Sequence, residues 1–442
     1  MDIAKLVEIY GSPMYVYDLS AIHMAYKALR SALPEQSTLF YSLKANPHPS
    51  IARELASLGC YFEISSLGEL ASVMQTEGGS RRCLYTGPGK TEEEITRAMA
   101  SGVSFFSIES PHDLRKLSRC AGQLRSRVRA ILRVNPENRI AGMGLTMSGA
   151  SSQFGAEVDW IQKSKKLFGR DRWVKICGFH FYMGTNISSI ETLLMTFRAG
   201  LELARRLTDH LGIDLETIDL GGGFGHPYAR SGEPCDFSEL KLPLVALLDE
   251  IFPSWRSKLP RVSFESGRFL VAKSGTLISR VQDVKISKGR TFVVLDTGIN
   301  HLGGMAGLRR IPNIGAELVD CHASFDTFTS VKGQAKEADA THQISHDSPL
   351  VTRAQHGESH SRDEIDVVGP LCTPLDYLAR GVVLPDVRPG SIVAVPNVGA
   401  YGLTASLIAF LSREAPAEVI VHENKVLEVS RLEMVRRAVT VE

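Results

Sequence analysis

The sequence lacks an apolar run long enough to cross a bilayer, and its first residues, Met1 to Lys5, do not form a signal peptide. Its seven cysteines are scattered without a Cys-x-x-Cys pair, which argues against a disulfide framework and against a zinc site. A net charge of +1 gives no reason to expect nucleic acid or an anionic membrane as a partner. These absences predict a cytoplasmic protein without a metal site.

The composition is typical of an ordinary globular protein. The chain has 442 residues, which is long for one domain and sufficient for two. Hydrophobic residues make up 43% and charged residues 22% of it. We therefore expect an enzyme-sized protein with at least one large core.

From Thr38 onward, short apolar runs alternate with helical patterns over roughly 240 residues, close to the size of a (β/α)8 barrel. A doubly wound sheet is the structural alternative. The predicted strands are Thr38–Leu43, Cys60–Ile64, Cys83–Thr86, Ser104–Ile108, Arg129–Val134, Ile176–Tyr182, Thr217–Leu220 and Val262–Phe264.

A barrel requires functional groups just past the C-terminal ends of its strands. Polar or glycine-rich positions occur there in every unit: Lys44, Glu63, Gly87-Pro88-Gly89, Glu109, Arg133, His180 with Tyr182, Gly221-Gly222-Gly223 and Glu265. Eight such coincidences favour the barrel over chance.

Beyond about Lys273 the sequence predicts strands joined by turns, without regular helices between them. We therefore predict a barrel over residues 30–272 and a second, all-β domain from residues 1–29 and 273–442. Within it, residues 320–364 form a polar insert, which is typical of a lid, a binding loop or a disordered segment.

Three stretches carry chemistry, each with a simpler structural explanation. Lys44, if desolvated at the strand end, is a candidate amine nucleophile that forms a Schiff base with a carbonyl, or else an ordinary surface charge. Gly221 to Gly223 can wrap an anion with backbone N–H groups, or simply form a tight turn. Glu265, a carboxylate in a barrel mouth, needs a partner, and a salt bridge to Arg268 or Arg133 would supply one.

Six motifs occur in a fixed order: Tyr41-Ser-Leu-Lys44-Ala-Asn46, Thr86-Gly-Pro-Gly-Lys90, Gly221–Gly225, Glu265-Ser-Gly-Arg268, Gly369-Pro-Leu-Cys372 and Gly399-Ala-Tyr401. In this order they resemble the fold-type III pyridoxal-phosphate decarboxylases of diaminopimelate, ornithine and arginine. The resemblance covers nearly the whole chain apart from the insert.

The resemblance implies a (β/α)8 barrel followed by a β domain, pyridoxal 5′-phosphate as cofactor and a homodimer with shared active sites. It implies catalytic roles for Lys44, which binds the cofactor, Glu265, which pairs with the pyridine nitrogen, and Cys372, which enters the neighbouring subunit's site and returns a proton to the substrate. The implied cofactor-binding residues are Lys44, Glu63, Arg133, His180, Tyr182, Gly221, Gly222, Gly223, Glu265, Gly267, Arg268 and Tyr401. The implied substrate-binding residues are Arg310, Cys372, Thr373, Asp376 and Tyr401.

The departures from the family pattern concern the substrate. Tyr182 stands where the family usually has a histidine stacked on the cofactor ring, and a phenol stacks equally well. Thr373 follows the site cysteine where the classical enzymes have an acidic residue that binds a distal ammonium. Arg310 is kept from the Arg-Pro-x-x-Tyr motif of diaminopimelate decarboxylases, whereas its tyrosine is not.

We therefore expect α-decarboxylation of an L-amino acid that is free, conjugated or bound to a carrier protein, as in the branch serving natural-product and siderophore biosynthesis. A classical diaminopimelate, lysine or ornithine decarboxylase is one alternative. An amino-acid racemase of the same architecture is another, although such racemases typically place an arginine at the pyridine nitrogen. A third is a non-enzymatic pyridoxal-phosphate carrier, which resembles the barrel alone.

Overall fold

The computed structural model describes residues 2–136, 152–168, 171–257, 259–303, 319–320, 365–382, 384 and 387–438. Arg310 and nearly all of the polar insert at 320–364 lie outside the described residues. Among the described residues, no helix combines the length and apolar character needed to span a bilayer.

Eight parallel strands form a closed barrel. β5, at one end of the strand order, pairs with β4 and also with β6 near the other end, and the pairing of β5 with β6 closes the sheet. The closed sheet confirms the predicted barrel and excludes the doubly wound alternative. Its strands are β2 (Thr38–Ser42), β3 (Tyr61–Ile64), β4 (Cys83–Tyr85), β5 (Phe105–Ile108), β6 (Val128–Asn135), β8 (Val174–Phe181), β9 (Thr217–Asp219) and β10 (Arg261–Ser266), with a short β7 (Ala156–Glu157) on β6.

The helices between the strands follow their capping signals. Thr91 and Glu94 form a reciprocal capping box at the start of α5, and Ser110 caps α6 with Pro111 in its first turn. The helices are α1 (Ile3–Tyr10), α2 (Leu19–Ala32), α3 (Pro49–Ser57), α4 (Leu67–Val73), α5 (Glu92–Ala100), α6 (Pro111–Gln123), α7 (Val158–Lys163), α8 (Ile190–Leu211), α9 (Lys241–Ile251) and α10 (Arg268–Val271).

A second sheet of nine strands consists of β1, which precedes the barrel in sequence, and eight strands that follow it. Its main path runs β15-β14-β12-β11-β1-β17-β18, and β16 joins it through β11. The strands are β1 (Met14–Asp18), β11 (Gly275–Ser287), β12 (Arg290–Leu295), β13 (Val319–Asp320), β14 (Ile365–Val368), β15 (Tyr377–Val382), β16 (Ile392–Val395), β17 (Ala417–His422) and β18 (Lys425–Arg431).

The sequence analysis did not identify β14 and β15. Asp366 interrupts the apolar run of β14, and Gly381 interrupts β15, so neither has a clear strand pattern. In the fold the Asp366 carboxylate accepts a hydrogen bond from the backbone N–H of Gly381, at 3.1 Å. This hydrogen bond between two strands therefore pairs the Asp366 carboxylate, which interrupts the apolar pattern of β14 in the sequence.

The two sheets meet at β1 and α2. β1 pairs antiparallel with β11 and parallel with β17, which places it in the second sheet. α2 follows directly and packs on α3 and α10 of the barrel as well as on β17. The start of the chain thus connects the two sheets at the C-terminal side of β2 and β10.

Candidate active site

A cleft opens at the C-terminal ends of the barrel strands and encloses about 320 Å³ of non-protein space. Residues of both sheets contribute to it, as a barrel site completed by a second domain requires. Its lining consists of Ser42, Lys44, Tyr182, Thr185, Gly223, Phe224, Glu265, Ser266, Gly267, Arg268 and Tyr401.

Lys44 lies at the centre of this cleft. β2 ends at Ser42 and continues into a single 3₁₀ turn, Leu43–Ala45, that turns the lysine inward. Its Nζ is 3.1 Å from both carboxylate oxygens of Glu63, and Thr86 donates a hydrogen bond of 2.8 Å to one of them. The amine therefore has a fixed, negatively charged partner.

The charges around Lys44 oppose the effect of burial. Burial lowers the pKa of Lys44, but the carboxylates of Glu63 and Glu265 outweigh it and raise the pKa above its ordinary value. Burial likewise raises the pKa of Glu63, but the Lys44 ammonium, the hydrogen bonds from Ser42 and Thr86 and the His180 charge together outweigh it and lower that pKa to about 2. Because 41% of the Lys44 side chain is exposed to solvent in the cleft, solvent screens part of the attraction between Lys44 and Glu63. Both shifts favour a protonated lysine beside an ionised carboxylate.

Glu265 faces a histidine rather than an arginine. Its Oε1 is 3.2 Å from Nε2 of His180, although the two atoms are not aligned for a hydrogen bond. Arg133, one of the two arginines expected to pair with Glu265, instead lies 3.5 Å from Glu109. The other, Arg268, has a buried Nε without a hydrogen-bond partner among the described residues.

Asp219, His180 and Glu265 form a cluster of three buried ionisable groups. One side-chain nitrogen or oxygen atom of each lies within 4.8 Å of those of the other two. Such a donor set is also compatible with a metal ion, which the sequence did not predict. Asp219 was not among the predicted site residues, although it lies within the predicted strand Thr217–Leu220. Its position at the inward-facing end of β9, two residues before the glycines, was the available signal.

The glycine turn after β9 packs against the ends of its neighbours more closely than a side chain allows. A Cβ on Gly222 would lie 2.0 Å from the backbone oxygen of Glu265. A Cβ on Gly221, which has a φ of +67°, would lie 2.3 Å from the oxygen of Phe181. Gly223 lines the cleft beside them. The turn thus brings backbone, rather than side chains, to the cleft.

Tyr401 reaches the cleft from the second sheet. Its backbone N–H donates to the oxygen of Ala45 at 2.7 Å, and its own carbonyl accepts from the Tyr228 hydroxyl at 2.9 Å. Its φ of +54° is unusual for a residue with a side chain and is held by these contacts. The Arg268 guanidinium carbon is 4.9 Å from the centre of the Tyr401 ring. The two sheets are therefore joined at the lysine turn.

Tyr182 lies over the same cleft. The Nζ of Lys44 is 5.6 Å from its ring centre, and the guanidinium carbon of Arg133 is 6.0 Å from it. Burial, opposed by the Lys44 charge, raises the pKa of the Tyr182 hydroxyl. The neutral ring thus forms one wall of the cleft.

The Cys372 loop stands apart from the cleft of its own chain. Cys372 is exposed and does not line the cleft. Thr373 carries no charge, and its hydroxyl accepts from the Leu375 N–H at 3.3 Å. The buried Asp376 carboxylate accepts the N–H groups of Ile299 at 2.8 Å and Leu371 at 2.7 Å, so it organises the loop from inside.

Sequence reasoning missed Ser42, Thr185, Phe224 and Ser266 among the lining residues. Ser266 is 4% exposed and its hydroxyl has no partner among the described residues. It lies between Glu265 and Gly267 and was not assigned a role from the sequence.

A larger cleft, with about 1600 Å³ of non-protein space including open solvent, lies at the opposite end of the barrel. Arg127, Trp173 and Asp214 line it, and they precede β6, β8 and β9. None of its lining residues belongs to the Lys44 cleft. Size alone therefore does not identify the chemical site.

Residues 19–272 match the family model described as "Pyridoxal-dependent decarboxylase, pyridoxal binding domain". Over 421 residues the chain is 27% identical to the L-glutamyl-[BtrI acyl-carrier protein] decarboxylase of Niallia circulans, covering 95% of this chain and 91% of that protein. It is 29% identical over 427 residues to the diaminopimelate decarboxylase of Aquifex aeolicus, covering 96% and 90%.

The fold is similar to that of Helicobacter pylori diaminopimelate decarboxylase complexed with L-lysine. The TM-score is 0.75 at 24% sequence identity, and the match covers 97% of this chain and 95% of that chain. At this identity the similarity supports the barrel and the second sheet.

Proposed function

The chain belongs to the pyridoxal-dependent decarboxylases, and we propose that within this family it decarboxylates an L-amino acid whose distal group is neutral, anionic or attached to a carrier protein. The family match favours decarboxylation over the racemase and carrier alternatives. The substrate assignment depends on the Cys372 loop.

Pyridoxal 5′-phosphate is the cofactor of this family, and the cleft has groups that fit it. The buried Oε1 of Glu265 and Nε of Arg268 have no hydrogen-bond partner among the described residues, and a pyridine nitrogen and a phosphate would provide one for each. The close-packed turn at Gly221 and Gly222 presents backbone to an anion. When bound, the cofactor supplies an electron sink for the electron pair left by carbon dioxide.

The chain's own residues have distinct proposed roles around it. Lys44 is the covalent anchor, and Glu63, 3.1 Å away, holds its ammonium and is placed to accept its proton. Glu265 holds a proton at the pyridine nitrogen. Tyr182 stacks on the ring, and Arg268 binds the phosphate with Tyr401. Cys372 of a second copy returns a proton to the α-carbon.

One observation carries the substrate proposal: residues 369–376, all described, offer no free carboxylate. Thr373 is neutral, and both oxygens of Asp376 already accept backbone N–H groups inside the loop. A distal ammonium desolvated at this loop would remain unpaired, which costs about 1.5–3 kcal/mol. The similarity to a decarboxylase that acts on glutamate bound to an acyl-carrier protein supports an acidic or tethered substrate.

The same loop supports a homodimer with shared sites. Leu375, Phe410 and Leu411 are 55%, 40% and 50% exposed. Arg413 donates to the Pro370 oxygen at 3.2 Å, which brings the segment after Leu411 next to the Cys372 loop. An apolar surface of this kind beside an exposed functional thiol is typical of a contact with a second chain.

The test is a comparison of carbon dioxide release from free amino acids and carrier-bound conjugates. Lysine, ornithine, arginine and meso-diaminopimelate should give a kcat/KM at least about 10-fold below that of glutamate or a glutamyl carrier-protein thioester. Thr373→Asp should improve turnover of lysine or ornithine, because it restores a carboxylate. Thr373→Asn is the matched control, because asparagine has the shape of aspartate without its charge. It should not improve turnover of lysine or ornithine. Efficient turnover of any of the four cationic substrates by the unaltered enzyme would reject the proposal.

A further inference from the structure

Three ionisable side chains lie behind the cleft on three neighbouring strands. His180 on β8 is paired in register with Asp219 on β9, and Asp219 is paired with Ser263 on β10. Glu265 follows Ser263 by two residues and so faces the same side of β10. His180, Asp219 and Glu265 are 1%, 0% and 2% exposed, so water does not screen their charges.

The contacts within this cluster are asymmetric. Nδ1 of His180 is 3.0 Å from the Ser107 hydroxyl, and Nε2 is 3.2 Å from Oε1 of Glu265. The Asp219 carboxylate accepts the Gly221 N–H at 2.8 Å through Oδ1, whereas its buried Oδ2 has no hydrogen-bond partner among the described residues. The cluster therefore has one anchored imidazole, one carboxylate beside it and one carboxyl group with an unused oxygen.

The electrostatics of the cluster favours the binding of one more proton than its two carboxylates would carry in water. Burial lowers the pKa of His180, but the adjacent Glu265 carboxylate outweighs it and raises the pKa. Burial together with Glu265 raises the pKa of Asp219 to about 7, although the charge of His180 opposes this shift. Two like charges in a sealed site cannot both persist at low cost without a counter-charge.

The remaining charged groups around the cluster come from three other strands. Arg133 at the end of β6 opposes protonation of His180. Glu63 on β3 interacts favourably with the His180 charge, and Lys44 after β2 interacts favourably with Glu265. These groups partly balance one another. Asp219 differs from His180 because burial and Glu265 shift its pKa in the same direction.

We propose that His180 and Asp219 are positioning residues for Glu265: His180, as an imidazolium anchored on Ser107, places a positive charge beside Glu265, and Asp219 carries the proton that sets the net charge of the cluster. The proposal rests on the proposed role of Glu265 at the pyridine nitrogen. When the pH rises through the titration of Asp219, its proton leaves to water and the cluster gains one negative charge. The electrostatic potential at Glu265, and at the pyridine nitrogen proposed to pair with it, then changes.

The experiment follows the visible absorption of the purified, cofactor-loaded protein between pH 5 and pH 9. The unaltered protein should show a one-proton spectral transition near neutral pH. Asp219→Asn keeps the acceptor for the Gly221 N–H but cannot ionise, so that transition should disappear while the visible band remains. A transition with an unchanged midpoint in Asp219→Asn would overturn the proposal.

His180→Gln gives a second test with a predicted sign. It keeps a side-chain N–H donor but removes the positive charge that lowers the pKa of Asp219, so the spectral midpoint should move to higher pH. A midpoint that stays or moves to lower pH would contradict the assignment. The matched control is Glu418→Gln, because Glu418 is a buried carboxyl of the second sheet whose pKa burial also raises to about 7. It should leave the spectrum unchanged.

Thermal melting provides a readout that does not depend on the spectrum. Because the pKa of Asp219 is raised by folding, ionising it costs stability from about pH 4 upward, and the cost is complete above about pH 7. Asp219→Asn should therefore gain melting temperature relative to the unaltered protein as pH rises over this range. An advantage that does not grow with pH would refute the buried titration.

Two further outcomes are distinguished by the same samples. If the unaltered protein shows no lysine-dependent visible band, the proposed cofactor site fails rather than the role of the cluster. If elemental analysis finds one metal ion per chain in the unaltered protein and none in Asp219→Asn, the cluster is a metal site and the positioning role is wrong.

Discussion

At the scale of single residues, we propose that Lys44 is the amine nucleophile of the cleft and that Glu63 holds it before use. Its ammonium is paired with Glu63 at 3.1 Å, so it must lose a proton before it can attack a carbonyl. The surrounding carboxylates make this form stable, and the cleft keeps the amine accessible. Binding of an aldehyde cofactor therefore competes with an ion pair that is already formed.

Lys44→Ala should abolish the visible band of the lysine-bound cofactor and any adduct that borohydride reduces. No other lysine lines the cleft of the described chain, so none can replace it. Lys44→Arg is the matched control for charge: it keeps a cation beside Glu63 but cannot form the covalent link, so it should lose the band as well. Absorption spectra and mass spectrometry after reduction measure both. A reducible adduct that persists in Lys44→Ala would defeat the assignment.

Single residues of the cleft were predictable where a motif fixes their position in the sequence. Lys44 and Glu265 are of this kind, and both line the cleft. The burial of Asp376 was not predictable, because its two backbone partners lie on its own loop and on the distant segment at Ile299. The close approach of Asp219 to Glu265 likewise depends on barrel register, which the sequence does not specify.

At the scale of elements, the Cys372 loop is shaped by one carboxylate and two glycines. A Cβ on Gly298 would lie 2.2 Å from Oδ1 of Asp376, and one on Gly369 would lie 2.3 Å from Oδ2. The loop thus closes on Asp376 without room for side chains. The sequence predicts Asp376 as a substrate-binding residue, and we propose instead that it positions the loop.

Asp376→Asn should lower kcat with a small change in KM. An amide can accept only one of the two N–H groups, and a buried N–H left without an acceptor costs about 1–3 kcal/mol, which the loop can avoid by shifting. A shift of Cys372 should reduce kcat about 10-fold or more, while the visible band remains. Steady-state kinetics and absorption spectra measure the two effects.

Asp366→Asn is the matched control for this change. Asp366 is also a buried aspartate of the second sheet and accepts the Gly381 N–H at 3.1 Å. It should lose stability without a comparable loss of kcat. Equal kcat losses in both variants would mean that Asp376 acts only through stability.

The regular elements were easier to predict than the irregular ones. The barrel strands were located to within about two residues, since short β-branched and aromatic runs between helices give a local signal. β14 and β15 were missed, because Asp366 and Gly381 satisfy each other only after folding. Helix ends followed caps such as Ser110, which are local and therefore visible in the sequence.

At the scale of the whole molecule, we propose that each chain contains only part of an active site. Lys44 and Glu265 line the cleft, whereas Cys372 is exposed and is not among the lining residues. The exposed Leu375, beside Cys372, marks a surface that a second chain can cover. The proposed site therefore needs two copies, one for the cofactor cleft and one for the thiol.

Mixing two inactive variants tests this arrangement. Lys44→Ala and Cys372→Ala homodimers should each be nearly inactive. Unfolded and refolded together at equal amounts, half of the dimers should be mixed, and each mixed dimer should contain one intact site, giving about a quarter of the unaltered activity. The matched control combines Lys44→Ala with Glu265→Gln, two changes in the same cleft. In a mixed dimer of that kind, one cleft carries Lys44→Ala and the other carries Glu265→Gln. Neither cleft is intact, so activity should remain near that of the separate variants. No recovery with Cys372→Ala would show that Cys372 acts within its own chain. Recovery in the control would show instead that Lys44 and Glu265 do not serve the same cleft.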